Sequence, residues 1–164
     1  MIKTLSVMAM CLASALALPA SAQELAFVIR HAEKEATGED PPLTEAGRGR
    51  AKSWAELLGR SGIDIVIHTN AARSRETATI ISRLLDLERV EVPISDTAGL
   101  MDLLAFDYAD GTVLLVGHTE TIPSILFQMG IPEPPEIDDG DFANLFMVVP
   151  TGEDRPVFVE LRMP

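Results

Sequence analysis

The 164-residue sequence predicts an α/β fold, a three-layer sandwich in which helices cover both faces of a mostly parallel central sheet. Two observations lead there. Strand-length apolar runs alternate with segments of helical periodicity, the pattern of consecutive strand–helix units. Three of those runs, "LAFVIR" (25–30), "IDIVIH" (63–68) and "GTVLLVG" (111–117), are nearly continuously apolar, as strands buried on both faces must be.

Each element has its own signal. After the first strand, "HAEKEATGEDPP" is a loop broken by Gly38, Pro41 and Pro42. Thr44 then suits the N-cap of a helix reaching about Arg60, with Ala51, Trp54, Leu57 and Leu58 at three- and four-residue steps. Gly62 separates it from the second strand. A second helix is expected from about Ala71 to Asp86, with Ile80, Ile81, Leu84 and Leu85 as its buried stripe. "VEVPI" is a short strand that Pro93 assigns to a sheet edge. Residues 95–110 carry no clear period. The third buried strand leads into a helix beginning near Thr119 and closed by Gly130. "IPEPPEIDDGD" reads as a loop and its "DDGD" as a solvated turn. "FANLFMVVP" and "PVFVELR" complete the chain as two strands joined by a turn around Thr151–Asp154.

The first 22 residues stand apart. Lys3 precedes the apolar run "LSVMAMCLASALAL", and Ala20 and Ala22 form the small-residue pattern of a cleavage site. These are the parts of a secretory signal peptide, and the run is shorter than the roughly 18 residues of a membrane span. Residues 1–22 are therefore expected to be removed, leaving 23–164 as one domain in the periplasm or outside the cell. An uncleaved N-terminal anchor is the rival reading. Cys11, the only cysteine, would leave with the signal, so the mature chain could form no disulfide and no thiolate site. The formal net charge is −12, and losing Lys3 makes it −13. Such a field repels nucleic acid and anionic lipid. No membrane association is expected after cleavage, and no obligate protein partner is evident.

In sheets of this kind, ligands gather beyond the carboxyl ends of the strands. The first strand delivers Arg30 and His31, the second His68, Thr69 and Asn70, and the third Gly117, His118 and Thr119. All three histidines of the chain thus sit where strands end, with Arg73 one turn into the next helix. Arginine forks match phosphate oxygens. A neutral imidazole can attack phosphorus, and a protonated one can stabilise the charge that develops on its oxygens. Phosphoryl transfer needs little beyond such positioning and charge. A metal site is the competing reading. It is opposed by Arg30 beside His31 and by the lack of an H-x-H or H-E-x-x-H spacing, so no metal or other cofactor is expected.

Four blocks, in order, resemble the histidine phosphatase superfamily, which also contains the cofactor-dependent phosphoglycerate mutases. "IRHAEK" is similar to its R-H-G/A signature, "DPPLTEAGRGRA" to its L-T-x-x-G segment, "HTNAARSRETA" to its S/T-x-x-x-R-x-x-x-T-A segment, and "VGHTETIP" to its second-histidine motif. The resemblance implies a phosphoglycerate mutase-like fold. It implies that His31 is the nucleophile, that Arg30 and Arg73 bind phosphate, and that His118 is the second pocket histidine. His68 falls at a position the family does not reserve for catalysis and reads as structural or peripheral. The proton donor has two candidates, Glu120 and Asp102, since Asp96, Asp102 and Asp107 match no family pattern. Loop 32–43 and segment 95–110 are the only stretches available as specificity elements, which favours an open pocket and a phosphatase over a mutase. The expected function is hydrolysis of small phosphomonoesters through a phosphohistidine on His31. A non-catalytic phosphate-binding module and a phosphohistidine-protein phosphatase are the alternatives.

Overall fold

The computed structural model describes residues 25–151 and 155–163. Residues 1–22, expected to be a signal peptide, and residues 152–154, where the last turn is expected, lie outside the described residues. The elements run β1 (Leu25–Arg30), α1 (Glu45–Leu58), β2 (Ile65–Thr69), α2 (Ala72–Leu85), β3 (Glu88–Val92), α3 (Thr97–Phe106), β4 (Thr112–Gly117), α4 (Ile122–Gln128), β5 (Asn144–Val149) and β6 (Val157–Arg162).

They form one six-stranded sheet in the order β3-β2-β4-β1-β5-β6. The first four strands in that order are parallel, while β5 runs antiparallel to β1 and β6 antiparallel to β5. β3 lies at an edge beside Pro93, where a missing N–H costs no ladder bond. Helices cover both faces. Trp54, Ala55 and Leu58 of α1 and Ala78 and Ile81 of α2 pack on Phe27, Ile29, Val66, Leu114 and Val116. Leu100 and Leu104 of α3 and Ile122, Ile125 and Leu126 of α4 pack on Ala26, Val28, Ile67, Leu115 and Phe146. Adjacent residues of β1 and β4 therefore feed opposite cores, which is why these strands show no polar alternation. Each fully buried Leu, Ile or Phe contributes roughly 1.5–3 kcal/mol. Among the described residues, no helix is long and apolar enough to cross a membrane.

The start of α1 is fixed by close contact as well as by its cap. Thr44 Oγ1 accepts from Gly47 N at 3.0 Å, and Thr44 N donates to Glu33 O at 2.9 Å. A Cβ on Gly47 would lie 2.2 Å from that same Glu33 oxygen, so no larger residue fits there without moving the loop after β1. Glu76 of α2 accepts from Leu43 N at 2.8 Å and from Arg48 Nε at 2.7 Å, tying loop and both helices together.

Several expectations need correction. Residues 97–106, without a clear period in the sequence, form α3, whose N-cap is Asp96 accepting from Gly99 N at 2.9 Å. Helix α4 starts at Ile122, leaving Thr119 and Glu120 in the turn before it. Leu57 and Leu84 are exposed. The inward stripe of α2 is Ser74, Thr77, Ala78, Ile81 and Ser82. Periodicity misplaced this stripe because α2 turns two hydroxyls toward the strand ends. Ser74 Oγ accepts from Thr69 N and donates to Val116 O, and Thr77 Oγ1 accepts from Ala32 N. These bonds satisfy buried backbone groups at the points where the ladder stops.

Candidate active site

The parallel register of the sheet builds the site. Arg30 pairs with Gly117, and the next amide, His31 N, donates to Gly117 O at 2.9 Å. The residues that follow, His31 and His118, must then lie side by side, and their ring centroids are 5.1 Å apart. Strand β2 ends beside β4, which brings Thr69 Oγ1 to 2.5 Å from His118 Nε2. The first turn of α2 adds Arg73, whose Nε donates to His31 Nε2 at 3.1 Å. Arg30, His31, Arg73 and His118, spread over 89 positions of sequence, thus share one locus.

Two contacts determine the state of His31. Its Nδ1 lies 2.7 Å from the Ala32 carbonyl, which can only accept, so Nδ1 carries the hydrogen. Nε2 then holds a lone pair, directed at the Arg73 guanidinium. Burial lowers the pKa to about 3, with His118 and the two arginines adding to the effect, so the ring is neutral near pH 7. His118 is fully buried, and burial followed by Arg73 lowers its pKa to about 4. Its Nδ1 makes no hydrogen bond among the described residues. The second imidazole is therefore neutral as the site stands, behind His31.

The arginines are held differently. Arg30 Nη1 donates to the carbonyls of Asp138, Asp139 and Asp141 at 3.0, 2.7 and 3.2 Å, and its guanidinium carbon sits 4.2 Å from the Phe142 ring centre. The "DDGD" segment, expected to be a solvated turn, is thus the cradle of Arg30. Arg73 lies 3.7 Å from Asp40, whose carboxylate also accepts from Ala72 N at 2.9 and 3.0 Å. Asp40 caps α2 from a distant loop, a task that no residue adjacent to the helix performs. Neither cradle nor cap has a sequence signature, because both join segments far apart along the chain.

A cleft of about 410 Å³ opens on this locus, lined by Arg30, His31, Lys34, Glu35, Arg73, Glu120, Asp139 and Phe142, among others. Glu120 belongs to it and Asp102 does not: Asp102 lies exposed on α3, and no residue of segment 95–110 lines the cleft. Loop 32–43 does contribute, through Lys34 and Glu35. His68 is buried with Nδ1 donating to Thr69 O at 2.8 Å, and it lines no part of the cleft.

A neutral imidazole nitrogen thus faces a guanidinium at the carboxyl rim of an α/β sandwich. Residues 26–103 match the model of the histidine phosphatase superfamily (branch 1). No curated protein sequence matches it significantly. Among solved structures, it is similar to the protein histidine phosphatase SixA in complex with tungstate, with a TM-score of 0.68 at 17% identity over 84% of this chain and 96% of that one. A protein described as mycobacterial hydrolase 1 gives 0.67 at 15% identity, covering 83% and 97%. The mycobacterial glucosyl-3-phosphoglycerate phosphatase in complex with VO3 gives 0.63 at 15%, covering 84% and 97%. These likenesses establish the phosphoglycerate mutase-like fold.

Proposed function

We propose that the protein is a phosphatase that hydrolyses small phosphomonoesters through a phosphohistidine on His31. One observation carries this reading: the lone pair of His31 Nε2 and the fork of Arg73 meet at 3.1 Å, so nucleophile and anion anchor address the same point. A phosphoryl group placed there would exchange the imidazole–guanidinium contact for guanidinium–oxygen bonds, freeing the lone pair to attack.

In the first step, Nε2 forms a bond to phosphorus as the ester P–O bond breaks. Arg30 and Arg73 hold the non-bridging oxygens, where charge is concentrated. The departing oxygen takes a proton from Glu120, the acidic cleft residue kept as donor. In the second step, a water oxygen bonds to phosphorus and gives one proton to the Glu120 carboxylate. The P–N bond breaks, and its electron pair returns to Nε2. The Nδ1–H bond to Ala32 O supports the positive charge on the phosphorylated ring. An incoming dianion would favour a proton on His118, turning this buried neutral ring into a charge stabiliser.

A phosphohistidine-protein phosphatase is the second reading, and SixA-type structural likeness favours it. The signal-like residues 1–22 support action outside the cytoplasm, which speaks for small esters instead. The test is hydrolysis of para-nitrophenyl phosphate by residues 23–164. Turnover is expected to fall at least about 1,000-fold in His31→Ala, and acid-labile 32P is expected on the wild-type protein after quenching. Vanadate binding without release of nitrophenol would instead identify a binding module.

A further inference from the structure

We infer that the substrate's leaving group carries a cationic nitrogen, as in the monophosphate of a short amino alcohol. This deepens the phosphatase reading and rests on it. The argument starts from the charges lining the cleft. A phosphate dianion balances Arg30 and Arg73, which leaves Lys34 facing Glu35, Glu120 and Asp139. Even with Glu120 holding the proton for the leaving oxygen, carboxylates outnumber the lysine.

None of these three carboxylates forms an ion pair among the described residues, although Glu33, Glu76, Glu91 and Asp141 all do. Two sides of the cleft supply the acids. Glu35 comes from the loop after β1, and Asp139 from the turn whose carbonyls hold Arg30. Arg30 would hold the phosphate end, and the turn whose carbonyls hold Arg30 also brings Asp139 to the cleft lining, close enough for its charge to act on Arg30. Phe142, whose ring lies against Arg30, adds an apolar surface to the cleft lining, suited to a short alkyl chain. A leaving group bearing a carboxylate or a second phosphate would meet repulsion there, and the chain's net charge of −12 reinforces it.

Phosphonates test binding apart from chemistry, because their C–P bond cannot be cleaved by this route. Inhibition constants against para-nitrophenyl phosphate hydrolysis are to be compared for 2-aminoethylphosphonate, propylphosphonate and phosphonoacetate, which differ in the charge of the distal group. At low salt the amine is expected to bind on the order of tenfold more tightly than the uncharged chain, and phosphonoacetate more weakly still. The preference should shrink in 1 M NaCl, where the screening length falls to about 3 Å. It should also collapse in the double variant Glu35→Gln/Asp139→Asn, which keeps the backbone carbonyl that serves Arg30. Equal binding of the three phosphonates, or a preference that survives both treatments, overturns the inference. If nitrophenyl phosphate is not hydrolysed, the phosphatase reading fails, and calorimetric titration of the same phosphonates still decides the charge preference of the cleft.

Discussion

Burial sets the protonation of both site imidazoles, and stability should depend on pH as a result. His31 and His118 titrate near 3 and 4 when folded, against about 6.5 in an unfolded chain. Below pH 6.5 the unfolded chain therefore binds protons that the folded one refuses. Stability is full above that value and is lost as pH falls through the window. The two rings together should remove about 3 kcal/mol between pH 7.5 and 5.5, above the range where most carboxylates titrate. Urea midpoints across that interval check this. His31→Ala should flatten the dependence, and a midpoint constant with pH would show that the rings are not buried as described.

At the scale of elements, the site depends on contacts that reach from loops to helix ends. Asp40 accepts the first amide of α2 and lies beside Arg73, so one side chain supports both the helix and the arginine proposed to hold phosphate. Replacing it with alanine should cost about 1 kcal/mol of stability, the usual value of a cap. The Michaelis constant for nitrophenyl phosphate should rise several-fold while kcat changes less, because Arg73 loses its support but His31 does not. Asp40→Asn retains a capping oxygen and should recover the stability. If the alanine variant matches the wild type in both measurements, the capping role is wrong. The turn 138–141 plays the matching part for Arg30, and it is itself braced by Asp141, which pairs with Arg162 of β6 and accepts from Asn144 Nδ2 at 3.1 Å.

For the whole molecule, one sheet shared by two cores should make unfolding a single event. Trp54, the only tryptophan, is fully buried on the α1–α2 face, while Leu126 is fully buried on the other. Leu126→Ala should cost roughly 2–5 kcal/mol through lost contacts and a cavity. Although Leu126 lies across the sheet, tryptophan fluorescence and far-ultraviolet circular dichroism should report the same lowered midpoint. Separate transitions would show that the two faces unfold independently.

The order of elements, the buried strands and the rim residues Arg30, His31, Arg73 and His118 were legible in the sequence, because each is written in a short local pattern. A buried strand needs a continuous apolar run, a cap needs its hydroxyl, and the family's motifs are contiguous. Helix α3, the hydroxyl stripe of α2, the cap by Asp40, the cradle of Arg30 and the placement of Glu120 in the cleft lining with Asp102 outside it were not legible. Each of these depends on which distant segments the sheet brings together, and local periodicity holds no record of that. Residue chemistry follows from the sequence by itself. Protonation, orientation and the charge of the cleft wall follow only from packing, since burial and proximity belong to the folded chain.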